Sequence, residues 1–245
     1  MSQMRVYPTR IAAAHAVAAQ FAAAAERAIT TKGRFTVVLA GGSTPRDVYR
    51  LLASDDYAAA VEWEYTQVFW GDERCVPLND PENNGRMARE TLLDHVPIPT
   101  DHIHRIPSQL APEDAALEYE QTLRTYFFER GLEQPEFDLV LLGLGAEGHT
   151  ASLFPHSPVL HEQERWVAAT YVERMNSWRV TLTPVALNSA AKVIFLVVGE
   201  EKAEALREIL SEPKTPDELP AQIVDPPHGR VLWIIDQAAA GLLDV

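Results

Sequence analysis

The feature that most constrains this chain is an alternation. Short runs of β-branched and aromatic residues recur along it, and stretches with helical spacing separate most of them. The apolar runs cover residues 35–40, 67–70, 137–142, 167–172, 180–183, 192–198 and 231–235. Helical patterns cover 45–53, 85–95, 112–130, 200–210 and 237–243. Runs that are apolar on both faces suit a parallel sheet covered from both sides. The expected fold is therefore α/β: an open, mostly parallel, Rossmann-like sheet with helices on both faces. Residues 1–245 are expected to form one domain, since no internal repeat or low-complexity tract divides the chain. The most loop-like stretch, 211–227 with its five prolines, and the turn-rich patch at 79–84 do not resemble domain boundaries.

An alanine-rich stretch at 11–25 has the look of a signal peptide, but His15 and Gln20 interrupt it and Glu26 follows directly. Val17, Phe21, Ala24 and Ala28 recur instead at the spacing of an amphipathic first helix. No run of 18 or more apolar residues occurs, so no membrane-spanning segment is expected. Cys75 is the only cysteine, which excludes an intramolecular disulfide and suits a reducing, cytoplasmic compartment. With 21 Lys plus Arg against 35 Asp plus Glu, the formal charge is −14. Such a chain repels phosphodiester backbones and anionic lipid, so neither nucleic acid nor a membrane surface is an expected partner. An anionic substrate would need a local basic pocket.

In an open α/β sheet ligands sit outside the carboxyl ends of the strands. Three loops there carry chemistry. The first holds Gly41, Gly42, Ser43, Thr44 and Pro45 between a strand and a helix. Its glycines admit an anion to the backbone, and its hydroxyls offer donors and a cap at the positive end of a helix dipole. A plain capped helix after a tight turn fits the same residues. The second loop, Asp72, Glu73 and Arg74 after Gly71, is either a surface ion network or an anion clamp in which Asp72 or Glu73 orients Arg74. The third runs from Gly143 to Pro155 and places Gly143, Gly145 and Gly148 in G-x-G-x-x-G spacing. A dinucleotide fingerprint fits it poorly, because Phe154-Pro155 breaks the chain and Ala168-Ala169 stand where an acid is needed. Glu147 and His149 give it instead the character of a catalytic turn.

Of four lysines, Lys202 lies on the first turn of a predicted helix, where a cation opposes the dipole unless an anion binds nearby. Arg179 opens a predicted strand. His102 and His104 can share one strand face, but without further ligand spacing they make a poor metal site.

Together the three loops closely resemble the glucosamine-6-phosphate isomerase/6-phosphogluconolactonase family, in order from about Thr9 to the C-terminal 231–243 segment. Asn84, the strand opened by Arg179, and the Gly199 to Lys202 turn also resemble family positions. The resemblance implies hydrolysis of 6-phospho-D-glucono-1,5-lactone to 6-phospho-D-gluconate in the oxidative pentose phosphate pathway, without metal or organic cofactor. It implies His149 as general base activating water, Arg74 near the lactone, and Gly42, Ser43, Thr44, Arg179 and Lys202 around the phosphate. The family loop usually reads Gly-x-Gly-x-Asp-Gly-His, whereas here the acid is Glu147, one methylene longer. Whether this carboxylate orients His149 directly, or through a shifted backbone or water, stays open at this level. The deaminase branch resembles this chain at Asp72, where it has a proton-abstracting aspartate. It continues after the histidine with Ala-Phe-Asn-Glu, and this chain has Phe154 in place of that Glu. A deaminase or isomerase, and a sugar-phosphate-binding regulator without catalysis, are the alternatives. Oligomeric state is not legible.

Overall fold

Phe35–Leu39 is buried at all five positions, and so are Thr66–Trp70 and Leu139–Leu142 throughout. Strands with no solvated face can only lie inside a layered sheet. The computed structural model describes residues 3–244. Six strands form one all-parallel sheet: β1 (Gln3–Tyr7), β2 (Phe35–Leu39), β3 (Thr66–Trp70), β5 (Leu139–Leu142), β8 (Lys192–Val197) and β9 (Arg230–Asp236), in the spatial order β1-β9-β8-β5-β2-β3. A second, three-stranded antiparallel sheet has the order β4-β7-β6, built from β4 (Asp72–Arg74), β6 (Val167–Val172) and β7 (Ser177–Leu182).

The helices are α1 (Arg10–Lys32), α2 (Pro45–Leu52), α3 (Asn84–Thr91), α4 (Pro112–Phe128), α5 (Pro184–Leu187) and α6 (Ala203–Ile209). Thr9 caps α1 by accepting the Ala12 N–H at 3.2 Å, and Gly33 ends it in the left-handed region at φ 71°. The small residues Ala13, Ala14, Ala18, Ala24, Ala25 and Ala28 are buried, which lets α1 lie close on the sheet. Phe21 of α1 packs edge-on against Phe35 of β2, with centroids 5.3 Å apart. Phe69, whose register partner is Val38, points to the opposite face of the sheet from Phe35. There it meets Tyr126 and Phe127 of α4 at 5.2 and 6.2 Å. Helices therefore cover both faces, as the sequence pattern predicts.

Four sequence-based expectations need correction. The runs at 167–172 and 180–183 are strands, but they leave the parallel sheet and pair with each other in the small one. Apolar patterning reports burial, and it does not report which neighbour a strand takes. Both β1, an edge strand with three exposed residues, and the three-residue β4 lack the apolar run that marks a core strand. Residues 237–243 form successive turns rather than a helix, through bonds such as Ala240 N–H to Asp236 O and Leu243 N–H to Ala240 O. Gly241 weakens helix formation there, and the Gly241 and Leu243 N–H groups bond three residues back, to Ala238 and Ala240, instead of four. Finally, His102 closes a short 3-10 turn (Thr100–His102), while the His104 ring stacks on Phe69 at 4.5 Å and contacts Gln67 Oε1 at 2.7 Å. No strand face presents the two imidazoles together. Among the described residues, no group of three or more His, Cys, Asp or Glu is placed to hold a metal ion. No helix among them is long and apolar enough to cross a membrane.

Candidate functional site

The chain leaves β2 outward to β3, and leaves β5 in the other direction toward β8 and β9. Between β2 and β5 the direction of winding reverses, and a crevice opens at the carboxyl ends of the strands. There the loops after β2, β3, β5 and β8 enclose a cleft of about 250 Å³. Three cations, Arg74, Arg179 and Lys202, face one carboxylate, Asp72, across it. This is a local excess of positive charge on a chain of net charge −14.

The Gly42–Thr44 segment lies at the start of α2 with Gly42 at φ 88°. Arg10 of α1 braces it, donating to Ser43 O at 3.0 Å and to Asp47 at 2.6 Å. The expected hydroxyl cap is not made. Thr44 has already entered helical geometry at φ −66° and ψ −48°, so its side chain cannot fold back onto the first turn. The hydroxyl and the first-turn N–H groups stay available to the cleft. Gly41 is fixed by sterics: a Cβ there would sit 2.1 Å from Asn84 Oδ1.

Asn84 itself donates to the Asp72 backbone oxygen at 3.0 Å, and Ser152 Oγ donates to Asp72 Oδ2 at 2.6 Å. Glu73 is buried beneath them and accepts the N–H groups of Arg74, Asn84 and Gly85, each at 2.8 Å. Burial pushes its carboxyl up to about 7 against the pull of those three donors. Arg74 is oriented by neither acid suggested by the sequence. Its Nη1 donates to the Glu82 backbone oxygen at 2.6 Å and to Glu82 Oε2 at 3.0 Å. Strand alternation turns Glu73 inward from β4, away from the side chain that follows it, and the Asp72 carboxylate is taken up by Ser152 instead.

In the antiparallel ladder Arg74 lies directly opposite Arg179. Like charges in that position repel. The Arg179 Nε is buried without a hydrogen-bond partner, and its Nη2 reaches only the Met175 sulfur at 3.2 Å. Among the described residues neither Arg179 nor Lys202 is in an ion pair with a carboxylate, in contrast to Arg74. Two juxtaposed guanidiniums, an orphaned donor and an unpaired lysine together have the chemistry to bind an anion.

His149 stands on the β5 loop, where Gly145 is required because a Cβ would lie 1.9 Å from His149 Nδ1. Its ring stacks on Phe154 at 4.2 Å and 21°. Burial, reinforced by Lys202, Arg179 and Arg74 and opposed by Asp72, pushes the imidazole down to about 4. It is neutral near pH 7, and therefore able to accept a proton. Glu147 Oε2 lies 3.1 Å from Nδ1, within ion-pair range, but Nδ1 has no aligned hydrogen-bond partner. The Glu147 carboxylate thus stands close to Nδ1 but out of line with it.

Of the residues singled out in the sequence, Gly42, Ser43, Thr44, Asp72, Arg74, Asn84, His149, Arg179 and Lys202 all line the cleft. Glu147 does not: it stands behind His149, on a neighbouring groove with Glu201, Glu204 and Glu218. Ser152 and Met175 also line the cleft, and the sequence gives no local signal for either.

Residues 8–233 match the family described as glucosamine-6-phosphate isomerases/6-phosphogluconolactonase. The 6-phosphogluconolactonase of Synechocystis sp. is 43% identical over 214 residues, 87% of this chain and 86% of that protein. The Haemophilus influenzae 6-phosphogluconolactonase is 35% identical over 207 residues, 84% of this chain and 87% of that protein. Among solved structures, 6-phosphogluconolactonase from Trypanosoma cruzi superposes with a TM-score of 0.88 at 29% identity, over 100% of this chain and 98% of that one. The Thermotoga maritima 6-phosphogluconolactonase gives 0.83 at 32% identity, over 97% and 100%. With its fold, its cleft and its sequence in agreement, the chain belongs to the glucosamine-6-phosphate isomerase/6-phosphogluconolactonase family.

Proposed function

We propose that this chain hydrolyses 6-phospho-D-glucono-1,5-lactone to 6-phospho-D-gluconate in the oxidative pentose phosphate pathway, with His149 as general base. The observation that carries the reading is a neutral, half-enclosed imidazole across one cleft from Arg179 and Lys202. That arrangement suits a phosphate-bearing substrate with a hydrolysable group at its other end. A cytoplasmic site of action goes with this reading, in keeping with a chain whose one cysteine, Cys75, is unpaired.

A lactone is an activated ester, so water, a base and oxyanion stabilisation suffice. With Nδ1 turned toward Glu147, Nε2 is the nitrogen left to face the cleft. It takes a proton from water as the oxygen bonds to the ring carbonyl carbon. Arg74 and loop N–H groups stabilise the tetrahedral oxyanion. The intermediate collapses by breaking the bond to the ring oxygen, which receives the proton from His149. The phosphate, held by Arg179, Lys202 and the Gly42–Thr44 loop, supplies binding energy remote from the bond that breaks. Asp72, fixed by Ser152 and Asn84, faces the sugar hydroxyls.

Phe154 stacks on the imidazole at the position where the deaminase-type sequence carries its Glu. This favours lactone hydrolysis over deamination.

The test generates the lactone in situ with glucose-6-phosphate dehydrogenase and follows its disappearance above the spontaneous rate, with an unphosphorylated lactone as control. Acceleration of the phosphorylated lactone is expected, and none would refute the enzyme assignment. His149→Ala should lose about 10²–10⁴-fold in kcat while still binding inorganic phosphate. Near-normal turnover in that variant would remove His149 from its role.

A further inference from the structure

We propose that Arg174, at the tip of the β6–β7 hairpin, is a positioning residue for His149: it secures Glu147 and Phe154 around the imidazole. The inference rests on the role of His149 argued above.

Four side chains close a ring. The Arg174 guanidinium is in ion-pair contact with Glu147 Oε1, and Glu147 Oε2 lies 3.1 Å from His149 Nδ1; both links are electrostatic, without an aligned hydrogen bond. The His149 ring stacks on Phe154 at 4.2 Å. Arg174 Cζ in turn sits 5.4 Å from the Phe154 centroid, in cation–π range. The hairpin tip that presents Arg174 is a short 3-10 turn, Glu173–Met175, ended by Asn176 in the left-handed region at φ 46°. The Arg174 side chain is 52% exposed, so no packing in the core explains its placement.

Its chemical task follows from where Glu147 stands. A carboxylate beside an imidazole stabilises the imidazolium, and an imidazolium cannot act as the base. The same carboxylate, 3.1 Å from Nδ1 though out of line with it, is useful if its field favours the tautomer with the proton on Nδ1, leaving Nε2 free. Arg174 reconciles the two by drawing the Glu147 charge to itself. The other charged groups facing His149 are Asp72 and Arg74 from β4, Arg179 from β7, and Lys202 ahead of α6. All four line the cleft, whereas Glu147 lies on the neighbouring groove and Arg174 reaches the ring only through Glu147 and Phe154. The β6–β7 hairpin thus does two things at once. It carries Arg179 into the cleft and, through Arg174, sets the protonation of the base.

The experiment measures the pH dependence of kcat for wild type, Arg174→Met, Arg174→Lys and the double variant Arg174→Met/Glu147→Gln. In Arg174→Met the unpaired Glu147 should move the acidic limb up by about one pH unit, as expected for a charge this close. The lysine variant should restore most of the wild-type profile. The double variant should return the limb to its wild-type position. A limb that stays put in Arg174→Met, or that moves equally in the double variant, overturns the inference. Circular dichroism and inorganic phosphate binding check that each variant is folded. Absence of hydrolysis in wild type refutes the functional reading. Wild-type hydrolysis lost in His149→Ala, with an unmoved limb in Arg174→Met, refutes this inference alone.

Discussion

The two sheets are built on opposite principles. The parallel sheet is mainly apolar, and the buried polar side chains of β2, β3 and β5, namely Thr36, Thr66 and Gln67, are uncharged. These strands are buried at every position, and their side chains meet aromatic residues from helices on both faces. The small antiparallel sheet buries ionisable groups, among them Asp72, Glu73 and Arg179, while Tyr171 and Trp178 stay exposed on its flank. A strand pair that sets Arg74 against Arg179 is a poor way to stabilise a fold. It is a good way to hold two guanidiniums at a fixed spacing. One sheet holds the molecule together and presents loops, and the other gives up stability to present charge.

Substitutions in the two sheets should therefore be felt in different measurements. The largest effect is expected from Phe69→Ala in β3, which removes a ring in contact with Tyr126, Phe127 and Phe137. It should cost about 3–5 kcal/mol in denaturant unfolding and leave kcat/KM per folded molecule nearly unchanged. Next come Arg179→Met and Lys202→Met. Each removes a charge-assisted contact of about 1.5–3 kcal/mol, so KM should rise about 10- to 100-fold with the unfolding midpoint little altered. If Arg179→Met instead unfolds the protein without changing KM, the contrast between the sheets is wrong. Third is a pH effect on stability from Glu73. Its carboxyl is raised from 4.5 to about 7 by burial, so the folded state holds the proton more tightly than the unfolded chain. The stability it contributes is full below about 4.5 and is lost as the pH rises through 7. Denaturant titrations at pH 5 and pH 8 should show this loss in wild type and a flatter profile in Glu73→Gln. The smallest effect belongs to Lys214→Met. Lys214 lies 3.9 Å from exposed Asp225, and the change should stay within about 0.5 kcal/mol in stability with KM unaltered.

The same contrast marks what could be seen in the sequence. The parallel sheet was legible because burial on both faces writes itself as a continuous apolar run. The small sheet was half legible. Val167–Val172 is visible as a strand, yet nothing local tells it to pair with Ser177–Leu182 rather than join the large sheet. Asp72–Arg74 reads as a loop because three residues carry no period. For the cleft, glycines, His149 and Lys202 stand out by their place after strands, and Arg179 by its place near the start of one. The residues that orient them do not. Glu82 finds Arg74 from eight positions away, and Ser152 reaches Asp72 across 80 residues. Arg174 meets Glu147 only because a hairpin folds over the β5 loop. Such partners are fixed by tertiary structure, and a single sequence holds no local pattern for them.

The opposition of Arg74 and Arg179 also reaches beyond the cleft. Arg179 belongs to the small sheet, whereas Lys202 and the Gly42–Thr44 loop hang from the large one. On the proposed reading, a phosphate held by them would act as a removable cross-link, a rivet that fastens the two layers and relieves the repulsion between the arginines. Thermal stability then reports occupancy of the cleft: at a hundredfold excess over Kd, a ligand that binds only the folded protein adds about 2.7 kcal/mol. The unfolding midpoint should therefore rise with the concentration of inorganic phosphate or 6-phospho-D-gluconate in wild type and rise less in Arg179→Met.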